Sequence, residues 1–205
     1  MTDTDRTPGW PVRLRGVTES IVATLGPNDR WNLAALGVCS SDDPDEPVTV
    51  TTWGSTRTRR NFHRNGGGVI QFTNDPREFV AAAVTIYEAD EPVVPNADAH
   101  VEIEVESIGT GREGGTSFER WRLEPIAERA VVHERRPRTI NRGFGAVIDA
   151  TVAASRLDVD AYDTAALCDR LRYFESVVDR CGGPRERAAF DRLTEATNWR
   201  SIANE

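Results

Sequence analysis

The sequence predicts an α+β, mainly β chain, with a β-barrel-like unit followed by a C-terminal helical region. Two observations carry that prediction. The first two-thirds of the 205 residues are short β-branched runs separated by turn signals, including one strict period-two alternation. The last third switches to apolar spacings of three and four, bracketed by helix start and stop signals. At 39% hydrophobic, the chain can bury a sizeable core without disulfide or metal support. The boundary falls at the change of period: residues 1–134 form the barrel segment and residues 135–205 the helical one.

The elements follow in order. Val17 to Thr24 and Trp31 to Val38 flank the turn Gly26-Pro27-Asn28-Asp29 and make a hairpin. Cys39 to Pro47 is an acidic surface loop, Val48 to Trp53 a third strand, and Gly68 to Thr73 a fourth. Asp75 can cap a short helix to Val84, with Pro76 at the first helical position and Glu78 three residues after the cap. Ala99 to Ile108 alternates Val101, Ile103, Val105 against His100, Glu102, Glu104, so one face is wet and acidic. Phe118 to Leu123 and Ala130 to His133 are two further strands. Gly143 to Leu157 is an alanine-rich helix. Asp160 to Cys181 carries the seam Leu167, Leu171, Phe174, Val178, Cys181, and Gly182-Gly183-Pro184 stops it. Pro184 to Trp199 closes an antiparallel helical hairpin.

Composition excludes several functions. All 25 basic residues are arginine, where a chain of this length normally carries about ten lysines. Schiff-base lysine chemistry and lysine phosphate loops are therefore excluded. A net charge of −8 opposes a general nucleic-acid surface. Acid excess with arginine in place of lysine fits a high-salt cytoplasm, where a Debye length of about 3 Å screens carboxylate repulsion. Compositional drift in a GC-rich genome gives the same pattern. Cys39, Cys168 and Cys181 form no CxxC pair and suit reduced cytosolic thiols. No apolar run approaches the ~18 residues of a membrane span, and the N-terminus has no apolar signal core. A cytoplasmic location is expected.

Gly109-Thr110-Gly111-Arg112-Glu113-Gly114 matches GxGxxG, yet no helical stripe follows, so it reads as a hairpin loop rather than a dinucleotide fingerprint. His63, His100 and His133 are dispersed in sequence, without metal-ligand spacing. Gly54 to Asn65 differs from the rest. It holds three hydroxyls, two amides and four arginines and no acid. Hydroxyl and amide donors with guanidinium forks are what a phosphate monoester requires. The alternatives are an exposed arginine loop paired with acidic surface elsewhere and a local RNA or DNA contact, which the net charge and the lack of aromatic interleaving apart from Phe62 oppose. Arg135, Arg136, Arg138, Asn141 and Arg142 form a second polar set at the start of the helical segment.

Together these stretches resemble the FMN-binding split-barrel superfamily and, within it, an archaeal domain-of-unknown-function family, 447. GVTESIVATL and WNLAALGV look like the superfamily's opening hairpin, WGSTRTRRNF like its phosphate segment, and VIQFTNDPREFVAAAV like the strand and helix after it. NRGFGAVIDATVAASRL is similar to the C-terminal region of family 447. The resemblance implies a flavin reductase-like split β-barrel binding FMN, as a homodimer with flavin at the interface. It places Ser55, Thr56, Arg57, Thr58 and Asn61 on the phosphate. Asn32, Ala34 and Ala35 would lie by the ring, Thr51 and Thr52 at its polar edge, and Asn74 and Arg142 are further contacts. The chemistry implied is hydride transfer from NADH or NADPH through FMN. A flavin-binding or sensing module without turnover, and a non-flavin phosphate-ester binder, are the alternatives.

Overall fold

The structure is a computed structural model. It describes residues 7–14, 16–41, 43, 45–133 and 142–203, with the backbone alone at Gly16, Arg142 and Cys181. The chain divides into two compact units, residues 1–74 with 87–135 and residues 75–86 with 136–205.

The first unit is the barrel. Its strands are β1 (Gly16–Leu25), β2 (Trp31–Ser40) and β3 (Thr49–Trp53), followed by helix α1 (Arg57–Asn65) and strand β4 (Gly67–Thr73). Helix α2 (Pro76–Val84) comes next in the chain, then β5 (Tyr87–Ala89), β6 (Ala97–Glu113), β7 (Thr116–Pro125) and β8 (Val131–Val132). Six strands pair in the order β1-β4-β6-β7-β3-β2, and β2 returns to β1, closing the sheet. β1 and β2 are in register from Gly16↔Ser40 to Leu25↔Trp31. By contrast, β2 meets β3 only at Cys39↔Thr49 and instead pairs its first residues with β5. The barrel is therefore split between β2 and β3.

Inward-facing residues of every wall fill it, among them Val22, Val38, Val50, Ile70, Val101 and Trp121. Phe62 of α1 joins this core, so α1 closes one end of the barrel. The alternation in β6 is as its sequence reads: Ala99, Val101 and Ile103 are buried and the intervening residues are not. β6 runs on to Glu113, however, so the GxGxxG stretch is strand rather than loop. The reversal is confined to Gly114 and Gly115, at φ +55° and +82°. Two successive positive φ values are the geometry of a tight hairpin turn, which β-carbons disfavour.

The second unit is helical: α2, α3 (Arg142–Ala154), α4 (Thr164–Cys181), α5 (Pro184–Thr197) and the short α6 (Trp199–Ile202). Thus α2, flanked by barrel strands in the sequence, belongs with the C-terminal helices, and its Val80 lies in their core. Alanines of α3 (Ala146, Ala150, Ala153, Ala154) face that core with Leu171, Val178, Leu193 and Trp199. Small side chains there let the helix axes approach closely. The α4 seam is wider than the expected one, since Cys168 and Val177 are buried as well. Asp163 rather than Asp160 starts α4, its carboxylate accepting from Ala166 N at 3.1 Å. Asp163→Ala should cost about 1 kcal/mol, the worth of such a cap, read as a small shift in the urea midpoint of the helical unit. Among the described residues, no helix is long and apolar enough to cross a membrane.

Candidate functional site: the start of helix α1

The Gly54 to Asn65 segment is helical from Arg57 onward. Gly54 makes the bend after β3 at φ +66°, its N–H donating to Ser117 O at 2.7 Å. Thr56 is the N-cap, and its hydroxyl accepts from Arg59 N at 3.2 Å. The next amide, Arg60 N, donates to Thr56 O. The amides of Arg57 and Thr58 are left without a backbone partner among the described residues. A helix N-terminus carries about half a positive charge, and acidic residues usually complement it. The first turn of α1 has no acid and holds Arg57, Arg59 and Arg60 instead. Helix dipole and side-chain charge therefore share one sign there, an arrangement suited to an anion.

The arginines are not equivalent. Arg59 Nε donates to Glu119 Oε2 at 2.6 Å, and its Nη1 donates to Gly54 O at 3.2 Å. Arg57 Nη1 reaches Glu88 Oε1 at 2.7 Å. Two of the four cations are thus paired with carboxylates, on β7 and β5, although the segment itself contains no acid. Arg60 donates to Ser55 O at 2.7 Å and has no carboxylate partner among the described residues. Arg64 donates to Asn61 Oδ1 at 2.9 Å. Ser55, Thr56, Arg57 and Arg60 are exposed together at the helix start.

The remaining expected site residues sort by the direction of their side chains. Thr58 and Asn61 face inward: Asn61 Nδ2 donates to Thr24 Oγ1 at 3.1 Å, and Asn32 Nδ2 lies 3.4 Å from Thr58 Oγ1. These contacts tie α1 to the first hairpin. Ala34 packs on the barrel core, whereas Ala35, its neighbour in β2, points to the opposite face. Thr52 is buried; it accepts from Trp121 Nε1 at 2.9 Å and donates to Glu119 O at 3.3 Å. Thr51 faces the outer side with the exposed Trp53, whose ring packs on Phe118 at 5.4 Å. Asn74 is not brought to α1. It ends β4 beyond Thr73, with its side-chain amide donating to Asp98 Oδ2 at 2.6 Å. Arg142 opens α3, and its side chain, like all of Arg135, Arg136, Arg138 and Asn141, lies outside the described residues.

The family model described as "Protein of unknown function (DUF447) N-terminal domain" matches residues 18–132, and "Protein of unknown function (DUF447)" matches residues 141–195. The chain belongs to the DUF447 family. Among solved structures, the FMN-bound DUF447 protein MM1853 of Methanosarcina mazei superposes with a TM-score of 0.74 at 24% identity, over 89% of this chain and 96% of that one. Flavoredoxin of Methanosarcina acetivorans matches at TM-score 0.41 and 15% identity over 60% and 72% of the two chains. The styrene monooxygenase flavin reductase of Pseudomonas putida S12 matches at 0.38 and 17% over 59% and 82%.

In this DUF447 chain the residue that sequence reading passed over is Glu119. It lies on β7 with its side chain 3% exposed. Oε2 accepts from Arg59 and faces His63 Nε2 at 3.0 Å, and Oε1 accepts from Ser107 Oγ at 2.6 Å. Arg59 and His63 are four apart on α1, so one carboxylate grips successive turns of the helix. Burial alone would raise the Glu119 pKa. The hydrogen bonds from Ser107, Arg59 and His63, with the His63 charge, outweigh that and hold it below the usual glutamate value. The sequence signal was faint: a lone acid in FERWRL, inward by parity with Trp121 and Leu123.

Proposed function

We propose that this DUF447 protein is an FMN-binding oxidoreductase, with the FMN phosphate at the start of α1. The observation that carries the proposal is a helix N-terminus with two unpartnered amides, three first-turn arginines and no acid. It sits on a barrel fold shared with a protein whose structure holds FMN. Ser55, Thr56, Arg57 and Arg60, with the amides of Arg57 and Thr58, are the donors that would hold the dianion. Thr58, Asn61 and Asn32 would fix the helix behind them. Ala35 and Thr51, on the outer face beside the β2–β3 split, would lie by the ring. FMN held there would supply hydride uptake from NADH or NADPH and electron delivery to an acceptor. The chain's own residues need only bind, orient and exclude water, which agrees with a site built of donors rather than an acid–base dyad.

The reading extends to a cytoplasmic homodimer with flavin at the interface, to which the exposed Trp53, packed on Phe118, lends support as a surface a second copy would cover. The barrel segment would be the flavin domain and residues 135–205 an appended helical domain. The lysine-free acidic composition supports a high-salt setting.

The test is a visible spectrum of protein purified in molar salt. The expected result is flavin absorption near stoichiometry, or its appearance on adding FMN. Absence of both would remove the flavin reading and leave another phosphate ester as ligand. Anaerobic bleaching by NADH or NADPH is expected next; a persistently yellow protein would mean a binding or sensing module without turnover.

A further inference from the structure

The chain has three histidines, and two of them meet on the outer wall of the barrel. His100 is on β6, in the register Val131↔His100 and Val132↔Ala99 with β8. His133 continues that ladder, its N–H donating to Asp98 O at 2.9 Å. Asp98, His100 and His133 therefore share the face opposite Ala99 and Val101, with the two histidines as diagonal cross-strand neighbours. Their rings stack at 4.8 Å and 30°, and His100 Nδ1 stands 2.7 Å from His133 Nε2.

That contact requires one imidazole to donate and the other to accept, so it excludes protonation of both nitrogens. A neutral hydrogen bond near water contributes only about 0.5–1.5 kcal/mol. Two facing imidazole nitrogens on paired strands have a second chemical use. We propose that His100 and His133 chelate a divalent first-row transition metal, with waters completing its coordination. Metal–nitrogen distances of about 2.0–2.1 Å put cis donors on the order of 3 Å apart, so chelation needs the hydrogen bond to break and the two rings to turn until both nitrogens face one point.

The surrounding charges fit a bound cation. Asp98 receives Asn74 N and Nδ2 on Oδ2, and its Oδ1 makes no hydrogen bond among the described residues, leaving it for a metal-bound water. Glu102, next on the same face, pairs with Arg129. No group of three or more potential protein ligands gathers around one point among the described residues. The site is therefore open and two-coordinate in protein donors, and affinity should follow the general order in which Cu²⁺ exceeds Ni²⁺ and Zn²⁺.

Tag-free protein stripped with EDTA should be titrated calorimetrically with Cu²⁺ and Zn²⁺ near pH 7.5, with and without FMN. The expected result is one equivalent bound per chain, tighter for Cu²⁺, with His100→Gln and His133→Gln each weakening it more than tenfold at unchanged far-UV circular dichroism. Absence of binding would overturn the proposal. So would binding that survives both variants, or loss in one variant alone. Flavin absorption should be the same in all three proteins, so this result stands or falls apart from the FMN reading.

Discussion

Glu119→Ala is expected to destabilise the barrel by about 2–3 kcal/mol, the scale for losing hydrogen bonds to a buried charged group, since Arg59 keeps some access to water. The substitution leaves Arg59 without its carboxylate, Ser107 without an acceptor, and α1 without the anchor that Arg59 and His63 share. Glu119→Gln should cost less, because an amide of the same shape can still accept from Arg59. Acid titration separates charge from shape. The folded pKa of Glu119 lies below its reference value of 4.5, so the native state holds the ionised form more tightly than the unfolded chain does. The resulting stabilisation is complete above the unfolded pKa and fades as pH falls through the folded one. Urea unfolding between pH 7 and pH 3 should therefore show wild type losing its advantage over Glu119→Gln below about pH 4.5. A Glu119→Ala loss under 1 kcal/mol at neutral pH would mean that the cluster does not hold α1.

Glu119 also shows why part of this protein was legible in sequence and part was not. Strands with one buried face announce themselves by period two, and β6 did so through Val101, Ile103 and Val105. α1 has no such signature. It buries only Thr58, Asn61 and Phe62, so a nine-residue helix presents one apolar side chain and reads as polar loop. The donors at its start were visible because hydroxyls, amides and guanidiniums are local in sequence. Their partners were not: Glu88 and Glu119 stand 31 and 60 residues from the arginines they bind. An acid-free segment is therefore no guide to unpaired cations. Similar logic covers α2, whose apolar stripe predicted a helix with a buried face but not which residues would cover it. The polar extension of β6 past Ser107 was hidden for the opposite reason: with both faces exposed, nothing enforces an alternation.

Arg60→Ala and Arg57→Ala are each expected to weaken FMN binding by more than tenfold, about 1.4 kcal/mol or more, and together by about a hundredfold. The single effects should differ in their dependence on Glu88. Arg57 is held by Glu88 at 2.7 Å, so binding a phosphate there means sharing or breaking that pair, whereas Arg60 has only a backbone carbonyl and a hydroxyl to leave. Glu88→Gln should therefore strengthen FMN binding in wild type and leave an Arg57→Ala background nearly unchanged. Salt orders these terms. At molar ionic strength the Debye length is about 3 Å, so the gain from Glu88→Gln should shrink most. The directional bonds from Ser55, Thr56 and the amides of Arg57 and Thr58 should persist. Fluorescence titration of FMN at low and molar salt reads all six proteins. If both arginine variants bind FMN as wild type does at low salt, the phosphate does not sit at α1. If Glu88→Gln weakens binding, that carboxylate positions Arg57 for the phosphate instead of competing for it.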